Sequence, residues 1–139
     1  MIDIERGVSH MTVLMDPAAI DAAMGVMDAH LVGLNAKDRD AIAATLHFPH
    51  HRLASGRLQT WETPATYLDD FFARAGDGWS HSVWDRRNVI AAGPDKVHLD
   101  VTFTRYRADN SSLGTFRSLW ILTLHEGRWA AAFRSSFAN

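Results

Sequence analysis

Val97-His98-Leu99-Asp100-Val101-Thr102-Phe103-Thr104 alternates strictly, with apolar residues at odd positions and polar residues at even ones. Successive side chains of a strand point to opposite faces, so this stretch predicts a strand with one buried face. Working downstream, a two-residue turn at Asp109-Asn110 carries the apolar face onto Phe116, Ser118, Trp120, Leu122 and Leu124. A second two-residue turn at Glu126-Gly127 extends it to Trp129, Ala131, Phe133, Ser135 and Phe137. A three-residue turn, His125-Glu126-Gly127, would instead bring Arg134 and Ser136 inward, because a one-residue slip exchanges the two faces. Upstream, a strand over about 80–92 enters through Gly93-Pro94-Asp95, with its register open. The region from Trp79 to Phe137 therefore reads as a four-stranded antiparallel meander.

The first half reads differently. Asp16 can cap a helix that has Pro17 at its first position, where a missing N–H costs nothing. Ile20, Met24, Met27, Leu31 and Leu34 form one apolar stripe on it, and Asn35 is expected to end it. Asp38 caps a short second helix carrying Ile42 and Leu46, which Pro49 stops. His51 to Trp61, with Ser55-Gly56 at its centre, reads as a short hairpin. Thr63-Pro64 opens a third helix, with Tyr67, Leu68, Phe71 and Phe72 inward and Gly76 at its end. The expectation is an α+β, cone-shaped fold in which three N-terminal helices pack on a strongly curved antiparallel β-sheet. Residues 1–15 are expected to be a flexible arm and 16–139 a single domain.

Composition narrows the function. A chain of 139 residues, 47% hydrophobic and 22% charged, has the make-up of an ordinary soluble domain. A net charge of -2 offers no basic footprint for nucleic acid. With no cysteine there is no disulfide, thiolate nucleophile or cysteine-held zinc. No apolar run approaches the ~18 residues of a membrane span, so a cytoplasmic protein without membrane contact is expected. The outer sheet face, with Thr102, Thr115, Leu119, Ile121 and Thr123, is poor in charge for a solvated surface. It suggests a homodimer formed sheet to sheet, simple solvent exposure being the alternative.

The order helix, short helix, hairpin, helix, meander resembles the nuclear transport factor 2-like (cystatin-like) superfamily, particularly its SnoaL-like polyketide-cyclase and ketosteroid-isomerase relatives. The local match is strongest at His30-Leu31-Val32-Gly33-Leu34-Asn35-Ala36-Lys37-Asp38, which is similar to the helical junction of the ketosteroid isomerases. Gly127-Arg128-Trp129 with Arg134-Ser135-Ser136-Phe137 resembles the last hairpin of SnoaL-like members. The resemblance implies a cavity between helices and sheet. It also places the isomerases' oxyanion-binding tyrosine on His30 and their aspartate base on Ala54 or Ser55. A base is needed to take a proton beside a carbonyl, so ketosteroid isomerase chemistry is not expected.

Helical geometry puts His30 roughly 80° from the stripe's centre, at the flank of a cavity. It is the candidate catalytic residue, its ring able to donate to a ligand carbonyl or move protons; a hydrogen-bonded histidine at the core edge is the plainer alternative. His50, Arg52, Trp84, Trp120 and Ser135 are candidate ligand-binding residues. His47, His50 and His51 lack convergent spacing for a metal, and no nucleotide-loop motif is present, so neither metal nor cofactor is expected. His98, Asp100 and Arg117 share the outer face and read as charge pairs there. Two functions follow: a domain binding a small apolar or aromatic molecule, or a cofactor-independent isomerase, cyclase or dehydratase centred on His30.

Overall fold

Asp16 accepts a hydrogen bond from the Ala19 N–H at 3.0 Å and so starts α1, Pro17–Ala36. Lys37, at φ 54°, ends it in the left-handed region, and the N–H groups of Lys37 and Asp38 close onto the Leu34 and Gly33 carbonyls. The computed structural model describes residues 14–137. Of the arm expected at 1–15, residues 1–13 lie outside them, whereas Leu14 and Asp16 are tied to Ala92 by two backbone hydrogen bonds of 2.8 Å.

α1 buries Ala19, Ala23, Met27, His30 and Gly33. The buried face is thus rotated from the expected stripe: small residues let the helix approach closely, and His30 sits within the face rather than at its flank. A Cβ on Gly33 would meet the Ala41 side chain at 3.0 Å, so its absence allows α1 to touch α2, Arg39–Ala44. Asn35 does not end α1. Its amide donates to the Ser82 carbonyl at 2.9 Å and accepts from the Ser82 N–H at 2.8 Å, clamping the helix to the sheet. α2 also ends earlier than expected, and Leu46 begins a strand instead.

The strands are β1 (Leu46–Ala54), β2 (Arg57–Trp61), β3 (His81–Ala92), β4 (Lys96–Tyr106), β5 (Ser112–His125) and β6 (Arg128–Ser136), with α3 (Pro64–Ala75) between β2 and β3. They form one sheet in the order β2-β1-β6-β5-β4-β3. Helices packed on this sheet make the α+β fold expected. One detail corrects the antiparallel expectation: β1 and β6 pair in parallel. The long excursion through α3 and the meander supplies the crossover that a parallel pair needs. No helix among the described residues is long and apolar enough to cross a membrane.

In the body of β4 and β5, Phe103 faces Phe116 and Leu99 faces Trp120, as expected. The tip, however, is not the two-residue Asp109-Asn110 turn: Tyr106 faces Ser112, the Arg107 N–H donates to the Ser111 carbonyl at 2.9 Å, and a register shift beside Arg105 restores the expected faces. At the next hairpin His125 faces Arg128, so the turn is Glu126-Gly127, both at positive φ (52° and 76°). Leu122 then pairs with Ala131 but Ile121 with Phe133, a β-bulge that inserts Ala132. Beyond it the faces exchange. Arg134 and Ser136 share the inner face with Trp120 and Ser118, while Phe133 and Ser135 lie opposite Ile121 and Leu119 on the outer one. The core inside holds Met27, Ile42, Leu46, Tyr67, Leu99, Val101, Trp120 and Leu122, all at most 3% exposed.

Asn35→Ala should remove both bonds to Ser82 and leave part-buried backbone groups short of partners. A loss of about 1–3 kcal/mol in chemical denaturation is expected, and an unchanged midpoint would show that the clamp does not hold α1.

Candidate functional site

Elements from both halves of the chain converge on a cavity between α1, the end of α3 and the inner face of the sheet. Its free volume is about 60 Å³. Phe71, Trp84, Phe103 and Trp120 form aromatic wall, and Leu31 and Leu34 of α1 add aliphatic surface. Trp84 stands edge-on to Trp120 at 5.6 Å and to Phe103 at 6.0 Å. The polar lining is His30, Ser82, Ser118 and Ser136, with the arginines Arg52, Arg74, Arg105 and Arg134. No aspartate or glutamate lines it among the described residues.

His30 is held by a directed chain of hydrogen bonds. The Thr45 hydroxyl donates to the Ile42 carbonyl at 2.7 Å, so it must accept from His30 Nδ1 at 2.8 Å. The ring is therefore the Nδ1–H tautomer, with Nε2 left as an acceptor. This corrects the expectation that His30 donates to a ligand carbonyl. Burial, reinforced by the Arg134 charge, lowers its pKa from 6.5 to about 3. At neutral pH it is an uncharged acceptor and a weak base.

Arg134 organises the other side. Its Nε donates to His50 Nε2 at 3.2 Å and its Nη2 to the Tyr67 hydroxyl oxygen at 2.7 Å. His50 Nδ1 donates to the Ala131 carbonyl at 3.1 Å, which leaves Nε2 with the lone pair that Arg134 needs. Burial and the Arg134 charge lower the His50 pKa to about 2, the bond to Ala131 opposing them. The guanidinium also lies over the rings of Tyr67, at 5.3 Å, and Trp120, at 5.2 Å.

Of the expected site residues, His30, Arg52, Trp84 and Trp120 line the cavity. His50 is fully buried behind Arg134 and acts through it. Ser135 is carried to the outer face by the bulge, and Ser136 takes the inner position instead. Arg74 and Arg105 were missed. Arg105 continues the odd-numbered series of β4, a charge on an otherwise apolar face, and that was its signal. Arg74 stands three residues after Phe71 on α3, on the same helical side. The histidines near Pro49 separate: His47 Nε2 donates to the Thr123 carbonyl at 3.0 Å, and His51 pairs with Thr60 Oγ1 at 2.9 Å. His98, Asp100 and Arg117 lie on the outer face, where Arg117 grips Asp100 with two bonds of 3.0 and 2.8 Å.

The two buried neutral histidines give a pH signature. Their folded pKa values lie below the ordinary 6.5, so below that pH the unfolded chain binds more protons and stability falls toward pH 3. Each group contributes a slope of up to about 1.4 kcal/mol per pH unit. Urea denaturation between pH 7 and pH 4 should show this loss, reduced in His30→Gln, while NMR should find both rings neutral at pH 5; a charged His30 ring there would contradict the assignment.

A family model described as NTF2-like protein (DUF6841) matches residues 25–133. A search of curated proteins gave no match. Among solved structures, a protein of unknown function with a cystatin-like fold from Nostoc punctiforme superposes with a TM-score of 0.73 at 11% identity, over 91% of this chain and 95% of that one. Aln2 from a Streptomyces species superposes with a TM-score of 0.70 at 19% identity, over 90% of this chain and 93% of its own. An NTF2-like protein from Cytophaga hutchinsonii gives 0.66 at 19% identity, over 90% of this chain and 100% of that chain. At such identities these structures speak for the fold alone. With the helices, the six-stranded sheet and the matched span in agreement, the chain belongs to the NTF2-like protein family DUF6841.

Proposed function

We propose that this chain is a small-molecule-binding domain whose ligand occupies the cavity between α1, α3 and the sheet. The observation that carries the reading is the lining itself: aromatic wall facing a few oriented polar groups, the usual composition of a ligand site. His30 Nε2 accepts a hydrogen bond from a ligand hydroxyl or N–H, because its other nitrogen is committed to Thr45. The small volume favours a single-ring or short-chain body.

The catalytic alternative is a cofactor-independent isomerase, cyclase or dehydratase. It draws on the open lone pair of His30 beside the positive Arg134, a base next to an oxyanion stabiliser. A pKa of about 3 makes His30 a poor proton acceptor near neutrality, which weighs against it. Ala54, where the isomerases' base would fall, has no proton to move. A homodimer through the outer sheet face belongs to the same proposal. It is supported by Leu119 and Ile121 on that face, and by His98 Nε2, buried with no hydrogen-bond partner among the described residues.

A thermal-shift screen of aromatic acids, phenols and small polyketide and steroid ligands tests the binding reading. At least one should raise the melting temperature and quench emission from Trp84 and Trp120 at the cavity wall. His30→Ala should then weaken its binding by about 1–3 kcal/mol if a ligand donor is left unpaired. A panel without a single stabilising compound would count against the proposal. Sedimentation equilibrium should give twice the 15.5 kDa of the chain; a monomer at micromolar concentration would remove the dimer.

A further inference from the structure

We propose that the molecule bound in this cavity is a small organic anion, its apolar body against the aromatic wall and its carboxylate or phosphate head held by Arg74, Arg105 and Arg134. The proposal rests on the ligand-binding reading above and specifies the chemical class of the ligand.

Guanidinium groups reach one small cavity from β1, α3, β4 and β6, and no described acidic residue lines it. Among the described residues outside the cavity, Arg39 pairs with Asp69, Arg87 with Asp28, and Arg117 and Arg86 with Asp100, while Arg107 and Arg128, without an acid, are met by Ser111 and by backbone carbonyls. Arg74, Arg105 and Arg134 have no carboxylate partner among the described residues. Burial pulls Arg74 and Arg105 below the ordinary arginine value; at Arg74 the Tyr67 side chain opposes this, and Arg134 and Arg105 reinforce it. Buried charge without a counter-charge is costly.

Aromatic faces offset part of that cost. Arg134 lies over Tyr67 and Trp120, Arg74 over Phe71 at 5.5 Å, and Arg105 over Trp79 at 6.0 Å. Ring contacts, however, do not take up every donor of Arg134. Arg134 uses Nε and Nη2 on His50 and Tyr67, and its Nη1 bonds to none of the described residues. The Trp120 indole N–H, in the ring beneath that guanidinium, is buried with no acceptor among the described residues. The site is thus rich in donors and poor in acceptors. A head group with two or three anionic oxygens supplies what is missing, and planar guanidinium matches it. A neutral aromatic ligand would fill the wall and leave the charges as they are.

The test is isothermal titration of the full chain with three probes sharing one ring: benzoate, phenyl phosphate and benzamide. At least one anion should bind about tenfold or more tightly than benzamide, as expected for charge-assisted bonds. The tighter anion identifies the head group. Arg74→Gln with Arg105→Gln, both only half-buried, should bring that anion close to the amide without unfolding the protein, checked by circular dichroism. Equal binding of all three probes would overturn the anion assignment and leave small-molecule binding standing. Binding of none would overturn both. An anion whose affinity is unchanged in the double variant would also overturn the assignment to these side chains.

Discussion

The buried guanidinium of Arg134 is the interaction around which the inner face of the sheet is arranged. A charge that deep is tolerated only if its hydrogen-bond geometry is met, and each partner here comes from a different element: His50 from β1, Tyr67 from α3 and the Trp120 ring from β5. The requirement runs outward from there. His50 can accept from Arg134 only as the Nδ1–H tautomer, and the Ala131 carbonyl beside the bulge selects that tautomer. Ala132 re-aims the end of β6, and the parallel pairing of that end with β1 brings Arg52 level with Arg134. One extra residue in a strand thereby sets the charge, the tautomer and the lining of the cavity.

The helical side is fixed by shorter polar links. Asn35 clamps α1 to the first meander strand, Gly33 lets α1 touch α2, and Thr45 at the end of α2 orients the His30 ring. These contacts place an uncharged imidazole opposite a permanent cation. Electrostatically the consequence is one-sided: the histidine is kept neutral, and the cavity keeps a positive potential that no lining acid among the described residues cancels. A site built this way is better suited to holding a molecule than to passing protons back and forth.

Much of the architecture was legible because it depends on local rules. Asp16-Pro17 and Thr63-Pro64 announce their helices through capping, and the alternation of β4 with the Glu126-Gly127 turn announces the meander. The site was legible where a single element sufficed, as for Trp84, Trp120 and Arg52. It failed where distant segments decide. Ser135 was assigned inward because strict alternation cannot register an inserted Ala132, a bulge stabilised by pairing on both sides of β6. The buried face of α1 was misjudged because Ala19, Ala23 and Gly33 carry little hydrophobic signal, although close approach needs small residues. Arg74 and Arg105 looked like surface charges because a cavity is a property of the fold, not of a segment.

The arrangement of the inner face depends on the bulge turning Arg134 inward beneath Tyr67 and Trp120. An edited NOESY spectrum of isotope-labelled protein tests it most directly, by reporting which β6 side chain faces the Trp120 ring. The account requires cross-peaks from the Arg134 side chain to the rings of Tyr67 and Trp120, with an Nε–H slow to exchange and coupled through space to His50. Cross-peaks from Ser135 to Trp120, with the Arg134 side chain exchanging freely with water, would contradict it.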